Sequence, residues 1–233
     1  NHLIHALRRN VNITILLFNN QIYGLTKGQY SPTSEMAKVT KSTPFGSLEQ
    51  PFNPLSVALG AEATFVARTH DMDRKHMMET FRRAHDHRGA SFVEIYQNCN
   101  VFNDGAFEGI TGKEHRADML IPLVHGEPIR FGSEGQFGVV MHRDGSVEVA
   151  EVAAVGEDAL LVHDEHKDNP GLAFQLSRLS HGPFEPTPIG VFRDVERPEY
   201  GSQMAEQIEA ATERRGPGDF DALLRSGSSW TVG

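Results

Sequence analysis

Thiols are nearly absent: Cys99 is the only cysteine in 233 residues. That excludes an intramolecular disulfide and, taken alone, any multi-cysteine metal site. No apolar run approaches the roughly 20 residues needed to span a bilayer. Basic excess is missing too, with a net charge of −9, so neither nucleic acid nor an anionic membrane is the expected partner. The opening Asn1-His2-Leu3-Ile4-His5 has the character of neither a signal peptide nor a transit sequence. There is no internal repeat, no low-complexity segment and no HExxH spacing among the 12 histidines. The expectation is a soluble cytoplasmic protein. Nothing precedes the helical pattern of Leu3, Ile4 and Leu7 that could cap it, so the chain reads as the continuation of a longer polypeptide whose upstream part holds some of any site.

What is present points to an α/β protein, because 22 Gly and 12 Pro suit a loop-rich chain better than a helical bundle. Val11 to Phe18 is a short apolar, β-branched run and predicts a strand buried on both faces. From Gly24 to Pro54, repeated Gly and Pro with many hydroxyls predict a long structured loop, a kind that is usually functional. Leu55–Ala61 predicts a short helix and Thr64–Arg68 a second strand. Apolar spacing at Met77, Phe81 and Ala84 predicts an amphipathic helix over Asp73–His87, followed by a third strand, Ala90–Tyr96. Strand, helix, strand at this spacing is the signature of a parallel sheet, in which ligands sit at the carboxyl ends of strands. Beyond about Phe107 the texture changes. Short strands are expected over His125–Met141 and Ser146–Val149, a helix over Gly171–Leu179, a last strand over Thr187–Phe192 and a polar helix over Glu199–Arg215. A short helix and a loose tail are expected over Gly216–Gly233. A domain boundary is placed at 1–118 and 119–233.

Two expected strand ends carry unusual residues. After the first comes Phe18-Asn19-Asn20-Gln21-Ile22-Tyr23-Gly24-Leu25-Thr26-Lys27-Gly28-Gln29. Asn20 with the carbonyl of Ile22 could supply two of the six oxygens that Mg²⁺ requires, and Gly24 could let a diphosphate approach the main chain. Equally open is a plain turn, since Asn tolerates left-handed geometry. Lys27 could hold a substrate carboxylate, contact a phosphate or face solvent. After the third strand comes Cys99, which by itself reads as an inert thiol. The clusters His70, His76, His85, His87 and His163, His166 read as solvated faces. His2 and His5 are candidates for supporting roles near the Asn20 segment.

The block NHLIHALRRNVNITILLFNNQIYGLTKGQYSPT closely resembles the beta subunit of 2-oxoacid:ferredoxin oxidoreductases. The resemblance continues through FVEIYQNCNVFND and returns in LAFQLSRLS and PIGVFRDVERPEY. It implies a thiamine-diphosphate-binding fold: the C-terminal half of a parallel doubly wound sheet with a smaller C-terminal β/α extension. It implies that Asn20 (side chain) and Ile22 (carbonyl) ligate Mg²⁺, that Gly24, Leu25 and Thr26 line the cofactor diphosphate, and that Cys99 is the fourth ligand of a four-iron four-sulfur cluster. The family's third protein ligand to Mg²⁺, the Asp of a Gly-Asp-Gly motif, and three cluster cysteines are missing from this sequence and expected upstream. Relatives acting on pyruvate tend to carry Gly where Lys27 stands, so the resemblance implies a substrate-choosing Lys27 and 2-oxoglutarate as the 2-oxoacid. Implied partners are an alpha subunit in a heterotetramer, ferredoxin and coenzyme A. The alternatives are the pyruvate-specific relative or another thiamine diphosphate enzyme, and a binding module without cofactor.

Overall fold

Apolar runs in the first hundred residues pair as parallel strands. The computed structural model describes residues 1–179, 185–228 and 230. It begins with α1 (His2–Arg8) and β1 (Ile13–Asn19), followed by a two-residue hairpin of β2 (Ile22–Tyr23) and β3 (Gln29–Tyr30). Then come α2 (Pro54–Gly60), β4 (Phe65–His70), α3 (Arg74–Asp86) and β5 (Ala90–Tyr96). Asn53 caps α2, its side chain accepting from the Ser56 N–H with Pro54 in the first turn. Asp73 caps α3 in the same way through the His76 N–H. β1, β5 and β4 are parallel, and they end in register: Asn19 lies beside Tyr96, and Tyr96 beside His70.

Side chains of a strand alternate between faces, and the two cores follow that rule. On one face Val66 and Phe92 pack with Leu7, Leu55, Leu59 and Leu176. On the other, Phe65, Ala67, Val93 and Ile95 pack with Ala84 of α3, with Met77 and Phe81 alongside. The amphipathic spacing of α3 is therefore used as the sequence predicts.

The later residues give α4 (Glu108–Thr111), α5 (Arg116–Met119), β6 (Leu120–Leu123), β7 (Arg130–Phe131), β8 (Phe137–Met141), β9 (Val147–Glu151) and α6 (Val152–Val155). α7 (Gly171–Ser177), β10 (Thr187–Asp194), α8 (Tyr200–Arg215) and α9 (Phe220–Leu224) complete the order. β7, β8 and β9 form a separate antiparallel sheet, while β10 and β6 join the main one, whose order is β1-β5-β4-β10-β6. The main sheet thus runs across the boundary placed after residue 118. β10 is parallel to β6 but antiparallel to β4, so the sheet is mostly, not wholly, parallel. Ser180 at the end of the quoted LAFQLSRLS block, and residues 229 and 231–233 of the expected tail, lie outside the described residues.

One expectation needs correction. β1 is not buried on both faces: Ile13, Leu16 and Phe18 are 46%, 40% and 58% exposed. Among the described residues it pairs with β5 and stands at the edge of the sheet. The histidines depart from expectation as well. His70 and His163 are buried, His76 bonds Thr69 at 2.8 Å, and His87 lies between Thr64 (2.8 Å) and Asp194 (2.9 Å). Of that group, His85 and His166 are on the surface.

Candidate cofactor and cluster site

Because β1 and β5 finish side by side, the segments leaving them meet. The Gln97 N–H donates to the Asn19 carbonyl at 3.0 Å, and the Asp71 N–H to the Tyr96 carbonyl at 2.9 Å. Asn19 points inward and is fully engaged. Its amide donates to Glu94 Oε1 at 2.8 Å, while its oxygen accepts from the Gln21 N–H (3.1 Å) and the Thr33 hydroxyl (2.7 Å). Glu94 in turn holds Arg68 Nε at 2.8 Å, both side chains being 1–2% exposed. Arg68 also donates to the Pro188 carbonyl at 3.3 Å and lies over the rings of Tyr96 and Phe192. Burial works against the Arg68 charge, but Tyr96 and Glu94 outweigh it and its pKa ends raised. Burial also pushes the Tyr96 hydroxyl up. Asn19, Gln21, Thr33, Arg68, Glu94 and Tyr96, with Phe52, Phe107 and Ile110, line a cavity of about 340 Å³ between the strand ends and the Gly24–Pro54 loop.

Asn20, the next residue, is half-buried. Its Oδ1 accepts from the Ile22 N–H at 3.3 Å and its Nδ2 reaches Gln97 Oε1 at 3.5 Å. One lone pair of Oδ1 is left for a further partner, so the side chain suits a hard cation that takes oxygen ligands. The segment is a turn, as the plainer reading of the sequence expects. Gln21 (φ 54°), Lys27 (φ 66°) and Gly28 (φ 93°) take left-handed conformations. The Lys27 N–H closes on the Gly24 carbonyl and the Gly28 N–H on the Tyr23 carbonyl, both at 3.0 Å. A turn does not exclude a ligand role, since the turn leaves Asn20 Oδ1 with one N–H partner. Leu25, Thr26 and Lys27 project outward as an exposed tip, with the Thr26 hydroxyl donating to the Tyr23 carbonyl at 3.3 Å. A Cβ on Gly24 would meet the Phe102 ring at 3.6 Å, and one on Gly28 would meet it at 3.2 Å. That side of both glycines is therefore occupied by Phe102.

Phe102 belongs to the segment that carries Cys99, a free, half-buried cysteine. Its carbonyl accepts from the Asn103 N–H at 2.9 Å. Just before it, the Asn98 N–H donates to Asp71 at 2.9 Å and the Asn98 amide to Asp104 at 2.8 Å. Asn103 ties the two loops together. Its amide donates to the Asn20 carbonyl at 2.9 Å, and its oxygen accepts from Lys38 Nζ at 2.7 Å. Asn20, the 24–28 turn and Cys99 are thereby brought into one cluster. One thiolate suits one corner of an iron–sulfur cluster that needs four, so Cys99 fits as a single ligand only.

Phe102 and the Arg68–Glu94 pair were not singled out from the sequence; Asn19 was marked only as an unusual strand-end residue, and Asn103 reads there only as part of a turn, Asn103-Asp104-Gly105. No spacing rule marks a bond between positions 83 residues apart such as Asn20 and Asn103. His2 and His5 stand exposed on α1 and, among the described residues, form no hydrogen bond to the cluster.

Residues 1–95 match the model of the thiamine pyrophosphate enzyme C-terminal TPP-binding domain. The whole chain is 53% identical, over 234 aligned residues, to the 2-oxoglutarate oxidoreductase subunit KorB of Mycobacterium tuberculosis and covers 62% of that relative. It is 41% identical over 103 residues to the 2-oxoacid:ferredoxin oxidoreductase subunit beta of Saccharolobus solfataricus, 44% of this chain and 34% of that one. Among solved structures, the 2-oxoglutarate:ferredoxin oxidoreductase from Magnetococcus marinus with 2-oxoglutarate, coenzyme A and succinyl-CoA bound is similar over 98% of this chain and 62% of that chain. Its TM-score is 0.66 and its identity 28%. The chain spans less than two thirds of these relatives' lengths.

Proposed function

We propose that this chain is a member of the beta-subunit family of the 2-oxoacid:ferredoxin oxidoreductases. It supplies one wall of a thiamine diphosphate site and takes part in oxidative decarboxylation of 2-oxoglutarate to its coenzyme A thioester, with ferredoxin reduced. When bound, thiamine diphosphate supplies the carbon nucleophile and electron sink for decarboxylation, and a four-iron four-sulfur cluster the one-electron exit. The chain's own residues hold and orient. Asn20 Oδ1 and the Ile22 carbonyl are the oxygens offered to Mg²⁺. Gly24, Leu25 and Thr26 line the diphosphate. Lys27, an exposed cation on a left-handed turn residue, faces the second carboxylate of a dicarboxylic 2-oxoacid. Cys99 holds one corner of the cluster. An alpha subunit closes the other wall of the site.

The observation that carries this reading is the brace made by Asn103 and Phe102. It fixes Asn20 and the 24–28 turn against the Cys99 segment, as a short path from cofactor to cluster requires. The similarity to relatives named for 2-oxoglutarate favours that substrate.

The test is turnover by the complete complex of this chain's full-length protein with its partner, with 2-oxoglutarate and pyruvate compared side by side. The expected outcome is a higher kcat/KM for 2-oxoglutarate. Lys27→Gly should cut that preference by tenfold or more, since a charge-assisted hydrogen bond is worth about 1.5–3 kcal/mol. Strict use of pyruvate, or a ratio unmoved by Lys27→Gly, contradicts the assignment of Lys27.

A further inference from the structure

We propose that His125, Glu165 and His166 form a binding site for a zinc-like divalent cation. It lies where the 163–168 segment crosses the end of β10, apart from the cluster of Asn20 and Cys99. The three residues each offer one ligand atom, and these atoms lie within 4.8 Å of one another.

Backbone contacts hold the site in place. The Gly126 N–H donates to the His163 carbonyl (2.8 Å) and the His163 N–H to the Glu127 carbonyl (3.0 Å), which pins the His125 turn to the His166 segment. The Asp194 N–H donates to the Glu165 carbonyl at 2.7 Å, and the two histidine rings are 4.6 Å apart.

The tautomer of His166 is what points to a cation. Its Nδ1 lies 2.6 Å from the Asp194 carbonyl, an acceptor only, so Nδ1 carries the proton. In neutral imidazole the lone pair is then on Nε2, which stands 3.5 Å from Glu165 Oε1. Glu165 Oε1 accepts from Arg83 Nη2 at 2.9 Å, which leaves it a further lone pair for a cation shared with that Nε2. A ring nitrogen donating to a backbone carbonyl while its other nitrogen is free is the arrangement found behind metal-bound histidines. Zinc bonds of about 2.0–2.2 Å put tetrahedral ligands about 3.3–3.5 Å apart, so the Nε2–Oε1 pair already has the right spacing. His125 has only to rotate inward by about 1–1.5 Å to reach the same spacing, and its side chain is 45% exposed on a turn.

Charge is matched as well. Glu165 is buried and held by Arg83 through both oxygens (2.9 and 3.1 Å). Asp194 (3.0 Å from Arg83) and Asp164 (3.7 Å from His125) add negative charge. Two imidazoles and one carboxylate suit a borderline cation such as Zn²⁺ and not the all-oxygen shells of Mg²⁺ or Ca²⁺. Both histidines are exposed, which leaves a fourth position for water.

The probe is Zn²⁺, titrated calorimetrically into the untagged complex of full-length protein and partner after removal of loosely held metal. Co²⁺ then reports the geometry through its visible ligand-field bands. One saturable equivalent per chain is expected, with Co²⁺ bands of tetrahedral intensity. His166→Gln and His125→Ala should each weaken Zn²⁺ binding at least about tenfold. Turnover should be unchanged and, with both side chains on the surface, melting of the metal-free protein should be too. No saturable binding by the wild type would mean an imidazolium–carboxylate pair only, and would overturn the proposal. Undiminished binding in both variants would place the metal on other residues, with the same result.

Discussion

Replacing Glu94 should loosen the fold and the candidate site together. The carboxylate is 1% exposed and its Arg68 partner 2%, so Glu94→Gln leaves a buried guanidinium without its counter-charge. Breaking a buried pair from one side costs about 3–5 kcal/mol. For a chain of this size each kcal/mol moves Tm by about 2–4 °C, so the expected drop is roughly 6–20 °C. The damage should travel to the loop. Glu94 Oε1 orients the Asn19 amide, and Asn19 Oδ1 in turn holds the Gln21 N–H and the Thr33 hydroxyl. Weaker thiamine diphosphate binding is therefore expected in variants that still fold. The double variant Arg68→Met, Glu94→Leu removes both charges, so its loss should be smaller than the two single losses added. It leaves the Asn19 amide and the Pro188 carbonyl each short of a partner, about 1–3 kcal/mol apiece. The assay is urea or thermal unfolding of the intact complex, with cofactor affinity measured on the same samples. A Glu94→Gln loss under about 1 kcal/mol, or a double variant as unstable as the two single losses added, would refute the reasoning.

Cys99→Ser should lower the iron content and visible absorbance of the complex and stop ferredoxin reduction, while thiamine diphosphate still binds; full iron retention would count against Cys99 as a ligand. Phe102→Ala should cost about 1–2 kcal/mol, below the 3–5 kcal/mol of a core phenylalanine because the ring is 40% exposed. It should also weaken cofactor binding by freeing the 24–28 turn, read from thiamine diphosphate titration. Burial lowers the pKa of His70, His76 and His163 below 6.5. The unfolded chain thus takes up protons first on acidification, so this contribution is complete above about pH 6.5 and is lost as pH falls from there. Asp194 shifts in the same direction for a different reason. Burial would raise its pKa, but bonds from His87 and Arg83 hold it below 3.8, so its contribution is lost only at more acid pH. Urea midpoints should be flat above pH 7 and fall between pH 6.5 and 5; a rise on acidification would contradict the assignment.

Local pattern carried much of the fold. β4, α3 and β5 were legible because burial period and helix period are written in neighbouring residues: Phe65 and Ala67 face α3 while Val66 faces α2 and α7. β10 was legible as a strand over Thr187–Phe192 of its Thr187–Asp194, but not as a member of the main sheet. Its pairing with β4, 120 residues or more away, has no local signature. Among the described residues β1 is less buried than its apolar run predicts, with β5 its single strand partner. The histidines also depart from the sequence reading. Charged neighbours on α3 suggested a wet face, yet His87 at its end turns inward to Asp194, 107 residues on.

Asn19 and Asn20 show where the candidate site was legible and where it was not. The residue types are identical, and the sequence pointed to the second as an oxygen donor for Mg²⁺, on its own chemistry and then by family resemblance, without saying what the first does. Strand parity separates them. Asn19 is the last residue of β1 and faces the buried pair of Glu94 and Arg68, so each of its side-chain polar atoms is already bonded. Asn20 lies one step past the strand, on the opposite phase, where its oxygen meets a single N–H at 3.3 Å. A buried amide with every atom engaged fixes structure, whereas a half-buried one with a lone pair to spare can take a cation. A shift of one residue in the pairing of β1 with β5 would exchange the two environments. The register of Asn19 with Tyr96 is therefore what makes Asn20, and not its neighbour, the candidate ligand.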